Sequence, residues 1–395
     1  MEQPWEADPE MMPAMKNAMG SSSDVAAARI REYLESKNNV LLNIAITGES
    51  GSGKSSFLNA FRDVEDDSED AAPTGVKETT LEVKEYPHPN YPNIIFSDLP
   101  GIGTTKFPAK KYLKRVGFKK FDFFIIISAD RFRENDAKLA KEIKKTGKNF
   151  YFVRSKVDHN LRDEQRKKDF SQEKTLAQIR DDCVKSLKDQ GVESPQVFLV
   201  SSHDIHLYDF PHLRETLERD LPEHKRDVLL LSSPSIFPDI IEKKKKVFRR
   251  QIWGLTALSG VVAAVPVPGL SVGVDLALLV GAVTRYVTGF GLNVASLKRT
   301  ASRTGIPYDE LKAVLTSQLA AEHITHDLIM KVVLQVSSRA ALMAAEEAFR
   351  FIPIVGIPAS MALSAVTTYK FLKLFLDLLA EDAHRVSDKV LNKNK

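Results

Sequence analysis

A nine-residue segment at 48–56, GESGSGKSS, constrains this chain more than any other feature of its sequence. It follows an apolar run at 40–47 that predicts a buried strand, and it precedes a helical pattern. Glycines between a strand and a helix let backbone N–H groups close around a phosphate, beside a helix N-terminus that favours negative charge. The segment therefore predicts a phosphate-binding loop. Its residues are Gly48, Glu49, Ser50, Gly51, Ser52, Gly53, Lys54, Ser55 and Ser56.

Two side chains of this loop are predicted to take part in chemistry. The ammonium group of Lys54 is expected to contact the β- and γ-phosphates of a nucleotide, which makes it a catalytic group because it stabilises charge during phosphoryl transfer. The hydroxyl of Ser55 is expected to bind Mg²⁺. The predicted ligand of the loop is thus a nucleoside triphosphate with its magnesium ion.

A second motif, DLPG at 98–101, directly follows an apolar run that predicts another strand. An aspartate in this place binds the magnesium shell through water, so Asp98 is a predicted metal residue. The backbone N–H of Gly101 is predicted to sense the γ-phosphate. The tetrapeptide alone is common, and its position at a strand end after a phosphate loop gives it meaning.

The segment between the phosphate loop and Asp98 is predicted to hold the first nucleotide-sensing loop. Its acidic run at 65–70 is expected to be solvated, since such charge beside the phosphates would repel a nucleotide. A threonine from this segment is needed to complete the magnesium ligands. Thr74, Thr79 and Thr80 are the candidates, and Thr74 is preferred because proline and glycine flank it.

A third motif, Ser155-Lys156-Val157-Asp158, follows the predicted strand at 150–153 and suits guanine. The Asp158 carboxylate accepts hydrogen bonds from the N1–H and the exocyclic amine of the base, and the Lys156 stem packs on the ring. Adenine has the opposite hydrogen-bond pattern and would leave the carboxylate unpaired, so an ATPase requires Asp158 to be incidental. Further residues predicted to lie near the base, through their backbone, are Ser201 and Ser202.

Ile102 stands immediately after the DLPG glycine, where Ras-like GTPases carry a glutamine that orients the attacking water. An isoleucine side chain has no hydrogen-bonding group, so an isolated monomer is expected to hydrolyse GTP to GDP and phosphate slowly. A partner, or a second copy of the chain, would supply the missing stabilisation. The alternative is a nucleotide-gated scaffold with negligible hydrolysis of its own.

The order of apolar and amphipathic segments predicts two domains. Short apolar runs alternate with helical patterns up to Leu221-Pro222, which indicates an α/β P-loop GTPase domain with a mostly parallel sheet and helices on both faces. Beyond that point only helical patterns occur, and the clearest lie at 311–319, 328–349 and 361–386. The predicted boundaries are a flexible leader at 1–23, an N-terminal helix at 24–39, the GTPase domain at 40–222 and an all-α domain at 223–395 that also packs the N-terminal helix.

One stretch in the helical half is long enough to cross a membrane. Residues 251–274 carry no charge, and a basic run at 243–250 precedes them. Glycines and prolines interrupt the stretch, so we interpret it as buried turns or helix ends, with a transmembrane span as the alternative. The basic run is interpreted as a solvated helix face, with reversible binding to anionic lipid as the alternative.

Composition restricts the setting and the partners. A net charge of +4, from 56 basic and 52 acidic residues, gives no argument for nucleic acid. The single cysteine, Cys183, excludes an internal disulfide and fits the cytosol. The N-terminal sequence lacks a signal-peptide pattern, and Glu2 stands where N-myristoylation requires glycine. We expect a cytoplasmic protein that meets membranes peripherally, through its own surface.

Taken together, the motifs resemble those of the interferon-inducible immunity-related GTPases, which are dynamin-like in architecture. The matching segments are GESGSGKSS at 48–56, TGVKETT at 74–80, DLPGIG at 98–103, the motif at 155–158 and YDFPHLRETLERDLP at 208–222. Lys54 places the chain in the lysine-bearing branch, and the likeness spans about residues 30–395. Ser155 departs from the threonine usual in the family, and Glu2 departs from the acylated glycine of some members.

The resemblance implies properties that the residues alone do not. It implies GTP-dependent self-assembly through GTPase-domain faces, and association with intracellular or pathogen-containing membranes in cell-autonomous immunity. It also implies a catalytic role for Glu78, the acidic residue a few positions after the first-loop threonine.

Overall fold

The structure is a computed structural model that describes residues 40–75, 82–100, 109–130, 132–263, 270–340 and 359–393. The leader at 1–23 and the helix predicted at 24–39 lie outside these residues. The chain divides into two compact units, one at Val40–Ser232 and one containing Ser233–Lys395.

The first unit is built on a six-stranded sheet with the order β2-β3-β1-β4-β5-β6. The strands are β1 (Leu42–Gly48), β2 (Lys84–His88), β3 (Tyr91–Asp98), β4 (Phe123–Ser128), β5 (Asn149–Arg154) and β6 (Val197–Leu199). All neighbours pair in parallel except β2, which runs antiparallel to β3 at the edge of the sheet. The predicted mostly parallel sheet is confirmed, and β2 is an addition to it.

Helices cover both faces of this sheet. They are α1 (Lys54–Phe61), α2 (Ala109–Arg115), α3 (Glu134–Lys145), α4 (Val157–Glu164), α5 (Gln172–Asp189), α6 (Phe210–Asp220) and α7 (Glu223–Ser232). Successive strand residues serve opposite faces: Ile44 belongs to the core under α1, α6 and α7, whereas Ala45 belongs to the core under α2, α3 and α5. Strands buried on both faces explain the continuous apolar runs of the sequence.

The first unit ends at Ser232, whereas the sequence places the boundary at 222. The difference is α7, whose Val228 and Leu229 are buried in the same core as Ile44. The Leu221-Pro222 pair therefore separates two helices of one unit. The charged start of α7 explains why the sequence reads as a new segment there.

Within its described residues, the second unit consists of helices joined by turns and loops. Its helices are α8 (Pro238–Ala263), α9 (Leu270–Gly289), α10 (Val294–Thr304), α11 (Tyr308–Ala313), α12 (His326–Ala340) and α13 (Ala359–Lys393). A helical C-terminal region agrees with the sequence. The helical pattern at 311–319 does not continue as one helix, because the buried Asp382 carboxylate on α13 accepts hydrogen bonds from the backbone N–H groups of Thr316 and Ser317, at 2.8 and 2.9 Å.

The basic run at 243–250 is not a uniformly solvated helix face. Lys244 is buried, and its ammonium group donates to the carbonyl oxygens of Ser233 and Gly289 and to the Ser235 hydroxyl. It thereby satisfies the carbonyl at the end of α9, where a cation is favoured. Lys245 pairs with Asp377 at 2.9 Å. Lys244 therefore bonds within the fold, and the half-buried Lys245 joins α8 to α13 through an ion pair.

The charge-free stretch at 251–274 falls on α8 up to Ala263 and on α9 from Leu270, with 264–269 outside the described residues. By length and composition alone, one other stretch of the described chain, Leu278–Thr304, could cross a membrane. A turn interrupts it, since α9 ends at Gly289 and the Asn293 side chain caps α10 at Ser296 N. Helices in the core of a folded domain have the same length and composition.

Candidate nucleotide-binding site

The phosphate loop connects the end of β1 to the start of α1 at the carboxyl edge of the sheet. Gly48 ends β1, and a Cβ atom there would lie 2.0 Å from the carbonyl oxygen of Ile127 on β4. Gly53 caps α1 with a φ of 84°, in the left-handed region. The first position has no room for a side chain and the second strains one, which accounts for both fixed glycines.

Two polar side chains are buried inside the loop. The Lys54 side chain is 8% exposed, and its Nζ atom donates to the carbonyl oxygens of Gly48 and Glu49 at 3.2 and 2.8 Å. Ser52 is also buried, and its Oγ atom has no hydrogen-bond partner within the described chain. A cradle of backbone with a buried ammonium group and an unsatisfied hydroxyl fits a multiply charged phosphate. Ser55 and Ser56 follow on the first turn of α1, half-buried.

The structure joins the phosphate loop to the predicted base-recognition loop. The Ser155 hydroxyl donates to the carbonyl oxygen of Ser52 at 2.6 Å, and Lys156 Nζ donates to the carbonyl oxygen of Gly51 at 2.9 Å. These bonds connect residues more than a hundred positions apart in the chain. Ser155 therefore keeps the hydroxyl of the usual threonine and uses it to fix one loop against the other.

Asp158 lies in the first turn of α4, directly after this connection. Its side chain is 10% exposed, and its Oδ2 atom lies 3.6 Å from Nε2 of His159. The pKa of the Tyr208 phenol is raised, mainly by burial and further by the carboxylates of Asp204 and Asp158. The Tyr208 phenol is therefore within electrostatic range of Asp158, a relation that the motif alone does not reveal.

A backbone hydrogen bond holds the loop after β6 against the start of α4, next to Asp158. Val157 N donates to the carbonyl oxygen of Val200, and Ser201 is fully buried with its hydroxyl accepting from the N–H groups of His203 and Asp204. That hydroxyl is occupied within its own turn. Contact of Ser201 with a base would therefore use backbone atoms, and Ser202 beside it is half-buried.

The YDFP segment anchors the same loop at its far end. The Asp209 carboxylate accepts from Leu199 N at 2.7 Å and from an Arg180 Nη atom at 2.6 Å, while Asp209 N donates back to the carbonyl oxygen of Leu199. The start of α6 is thus fastened to the end of β6. This gives the motif a structural role in holding the loop that contains Ser201.

The predicted metal residues differ in how deeply they are buried. Asp98 is 1% exposed at the end of β3, opposite Ile46 of β1, whereas Thr74 is exposed on the connection after α1.

The Tyr112 hydroxyl bonds the Thr47 hydroxyl at 3.1 Å and donates to the carbonyl oxygen of Pro100 at 2.8 Å. Burial raises the pKa of this phenol. Tyr112, which the sequence analysis missed, therefore ties the segment after Asp98 to the start of the phosphate loop.

Magnesium fits the oxygen donors of this edge. Within the described chain no group of three or more histidine, cysteine or acidic side chains could hold a metal ion by itself. Mg²⁺ commonly binds proteins through one or two carboxylates and hydroxyls, together with substrate phosphates and water. Ser55 and Asp98 supply a hydroxyl and a carboxylate of that kind. Gly101, Glu78, Thr79, Thr80 and Ile102 lie outside the described residues.

A buried carboxylate supports the phosphate loop from α3. Glu49 pairs with Arg133 at 3.2 Å, and the backbone N–H of Arg133 donates to Asp136 Oδ2 at 2.9 Å. Asp136 is 2% exposed, and its Oδ1 atom has no hydrogen-bond partner in the described chain. The pKa of Asp136 is raised to about 6, mainly by burial and further by the negative charge of Glu49. The hydrogen bond from the Arg133 N–H lowers this pKa and offsets part of the increase.

Asp136→Asn is expected to remove a pH dependence of stability. Because the folded pKa lies above the unfolded value of 3.8, the fold favours the protonated acid, and its stability falls as pH rises from about 4 past 6. The full cost at pH 7.5 is at most about 3 kcal/mol. Melting temperatures at pH 4.5 and 7.5 should therefore show the variant gaining on the wild type as pH rises.

Glu134→Gln is the matched control for this measurement, because Glu134 is an exposed acid in the same first turn of α3. Equal pH slopes for the wild type and Asp136→Asn would contradict the assignment of a raised pKa to Asp136.

A phosphate loop after β1, a buried aspartate at the end of β3 and a lysine–aspartate pair after β5 together define a P-loop GTPase. The family model for Interferon-inducible GTPase (IIGP) matches residues 11–390. The chain belongs to the interferon-inducible GTPase family and is a GTP-hydrolysing enzyme.

Individual relatives are similar over most of the chain. Interferon-inducible GTPase 5 of Bos taurus is 41% identical over 98% of this chain and 83% of its own length. Interferon-inducible GTPase 1 of Mus musculus is 41% identical over 73% of this chain and 70% of its own length. Among solved structures, Aquifex aeolicus Era bound to GDP·AlF4⁻ superposes with a TM-score of 0.31 and 20% identity, covering 46% of this chain and 56% of that one.

Proposed function

We propose that this GTPase works with Mg²⁺ and assembles with copies of itself at intracellular or pathogen-containing membranes in cell-autonomous immunity. In this proposal the monomer hydrolyses GTP to GDP and phosphate slowly, and assembly accelerates the reaction. The names of its relatives, which call them interferon-inducible, support the immune setting.

The observation that carries the nucleotide part is the pair of hydrogen bonds joining the phosphate loop to the base loop. Ser155 and Lys156 hold the carbonyl oxygens of Ser52 and Gly51, so the phosphate cradle and Asp158 form one preorganised surface. Preorganised donors do not have to reorient as charge develops, and such alignment accounts for much of phosphoryl-transfer catalysis. A guanine nucleotide spans both loops at once, with its phosphates at Lys54 and its base at Asp158.

The chain's own residues have the following proposed roles. Lys54 stabilises the charge on the β- and γ-phosphate oxygens, and Ser55, Thr74 and Asp98 hold Mg²⁺ directly or through water. Magnesium supplies neutralisation of the phosphate charge when it is bound. Gly101 contacts the γ-phosphate, and Glu78 contributes to the chemistry when two copies meet. Ile102 offers no group to orient the attacking water, so the proposal assigns the missing stabilisation to assembly.

Peripheral binding is proposed for the membrane contact. The cations that remain for anionic lipid on α8 include the exposed Lys246 and Arg249, since Lys244 and Lys245 bond within the fold. Basic side chains near an anionic surface each contribute about 1 kcal/mol, so two of them give only weak, reversible attachment on their own. Assembly would multiply such contacts and strengthen attachment.

GTP turnover per molecule is expected to rise with protein concentration. Mass action populates the assembled species, so specific activity should increase roughly tenfold or more as light scattering of the same samples increases. Vesicles of phosphatidylcholine with phosphatidylserine should shift the rise to lower protein concentration, whereas pure phosphatidylcholine vesicles should not. Flat specific activity without scattering would contradict self-activation.

The second candidate function is a nucleotide-gated scaffold, in which binding alone changes partners and hydrolysis is incidental. Ile102 is the observation in its favour. The two functions separate in the same experiment, because a scaffold scatters light with a GTP analogue and does not gain turnover on assembly.

A further inference from the structure

The helix that follows the phosphate loop also holds the connection that leads to Thr74. Near the end of α1, Asn59 is fully buried and forms two hydrogen bonds with a single residue, Ala72. Its Oδ1 atom accepts from Ala72 N at 2.7 Å, and its Nδ2 atom donates to the Ala72 carbonyl oxygen at 2.9 Å. Ala72 itself is fully buried and lies two residues before Thr74.

Asn59 also organises the acidic turns in between. A second Nδ2 hydrogen bond reaches Asp66 Oδ1 at 2.8 Å, while Val64 N donates to the Asn59 carbonyl oxygen at 2.9 Å. The side-chain amide therefore uses both of its N–H groups and its oxygen. Because the backbone N–H and C=O of Ala72 each require a specific amide atom, only one orientation of Asn59 satisfies all three bonds.

Arg62, one turn later, reaches both sides of the same connection. Its Nη1 atom donates to the carbonyl oxygen of Asp70 at 2.9 Å, and its Nε and Nη2 atoms donate to the carbonyl oxygen of Pro87 on β2 at 3.1 and 2.9 Å. The guanidinium carbon lies 5.4 Å from the centroid of the Tyr86 ring, and the whole side chain is buried. One planar group thus fixes the segment before Thr74 and the strand that follows.

We propose that Asn59 and Arg62 are positioning residues for GTP hydrolysis, which act by fixing the first nucleotide-sensing segment to α1. One short helix carries Lys54 and Ser55 at its start and Asn59 near its end, and Arg62 is the residue that caps it. Displacement of α1 at the phosphates is therefore transmitted directly to the residues beside Thr74. Both anchors are buried side chains that bond to backbone atoms of the connection. Their effect on its position therefore does not depend on the side chains of the residues that they hold. The inference rests on the proposed role of Thr74 as a magnesium ligand.

The test compares Asn59→Ala with Asn93→Ala in the full chain. Asn93 is a matched control, since its Nδ2 atom donates to the Val40 carbonyl oxygen at 2.8 Å in the same unit. We expect Asn59→Ala to lower kcat for GTP roughly 10- to 100-fold through misplacement of the segment, while the Kd for GDP with Mg²⁺ changes less than about threefold. Asn93→Ala should change both values less than about threefold.

If Asn59 had a purely structural role, Asn59→Ala would change kcat for GTP and the affinity for GDP by similar factors. Equal losses of GDP affinity and kcat in Asn59→Ala, unchanged turnover, or the same split in Asn93→Ala would each overturn the proposal. If Asn59→Ala does not fold, Arg62→Lys provides the test, because a lysine keeps the charge and cannot reach both Asp70 and Pro87 with a rigid fork. The same split between kcat and GDP affinity is expected, and its absence would overturn the proposal.

A readout without turnover separates this inference from the proposed role of Thr74. A non-hydrolysable GTP analogue should slow tryptic cleavage at Lys77 in the wild type and in Thr74→Ser, and should not slow it in Asn59→Ala. Protection of Asn59→Ala equal to that of the wild type would overturn the anchoring. If Thr74→Ala leaves kcat unchanged while Asn59→Ala loses protection, the magnesium role of Thr74 fails and the anchoring stands.

Discussion

Asp158→Asn is expected to weaken GTP binding by about 10⁴-fold and to make xanthosine triphosphate the preferred nucleotide. Guanine offers two donors, its N1–H and its exocyclic amine, and a carboxylate accepts both. An asparagine directs one N–H group at the amine, so two donors face each other in a site that is 10% exposed. Xanthine has a carbonyl oxygen in place of the amine, and that oxygen accepts from the asparagine.

Competition for a fluorescent GDP by GTP, xanthosine triphosphate and ATP measures this switch. Asp163→Asn is the matched control, because Asp163 is an exposed acid on the same helix α4. A variant that kept its preference for GTP would show that Asp158 does not recognise the base. Improved ATP binding without any gain for xanthosine triphosphate would contradict the proposed hydrogen-bond pattern.

The meeting of the three motifs could be predicted from the sequence because of one property of parallel sheets. Strands β1, β3 and β5 are parallel or share parallel neighbours, so their carboxyl ends lie at one edge. Residues that directly follow those strands must come together there. The strand pattern alone therefore predicts that Gly48, Asp98 and Ser155 lie at the same edge of the sheet. The strand pattern itself was clear since burial on both faces makes the runs continuously apolar.

Edge strand β2 could not be predicted in the same way. Its sequence, KEYPH, is mostly polar and contains a proline, which is tolerated only because the strand lies at the sheet edge. Its place depends on pairing with β3 and on the Arg62 bonds to Pro87. Neither contact leaves a periodic signal in the sequence.

The burial of Lys244 has a signal in the sequence. Within four consecutive lysines, only position 244 has an apolar residue at all four helical spacings, with Ile240 and Ile241 before it and Val247 and Phe248 after it. That spacing places Lys244 on the apolar face of α8. A buried lysine requires acceptors, and the carbonyl at the end of a neighbouring helix supplies one. The identity of that helix comes only from the fold.

The interruption at 314–325 depends on a contact that no local pattern contains. Asp382 lies 66 positions from Thr316, and its carboxylate accepts from the backbone N–H and the hydroxyl of that residue. A buried carboxylate with several backbone donors competes effectively with continuation of a helix. Helical propensity at 311–319 was therefore overridden by a tertiary contact.

Lys54→Met is expected to reduce kcat for GTP by about 10²–10³-fold, and to weaken GDP binding as well. The methionine side chain has similar length and no charge, so it removes the ammonium group that is proposed to face the β- and γ-phosphates. Lys54→Arg should be nearly as inactive, because Lys54 is only 8% exposed and the planar guanidinium of an arginine has a different geometry from the compact ammonium group. Lys168→Met, at an exposed lysine of the same unit, is the control.

Stability without nucleotide separates lost chemistry from lost structure in this variant. Lys54 is a buried cation whose Nζ atom donates to the carbonyl oxygens of Gly48 and Glu49, and we expect its exchange for an apolar side chain to leave the melting temperature nearly unchanged. Saturating GDP with Mg²⁺ at 100 times Kd should stabilise the wild type by about 2.7 kcal/mol, and the same ligand concentration should stabilise Lys54→Met far less. A variant that melted much lower without nucleotide would make Lys54 a structural residue of the loop, whereas an unchanged ligand-induced shift would place the phosphates away from it.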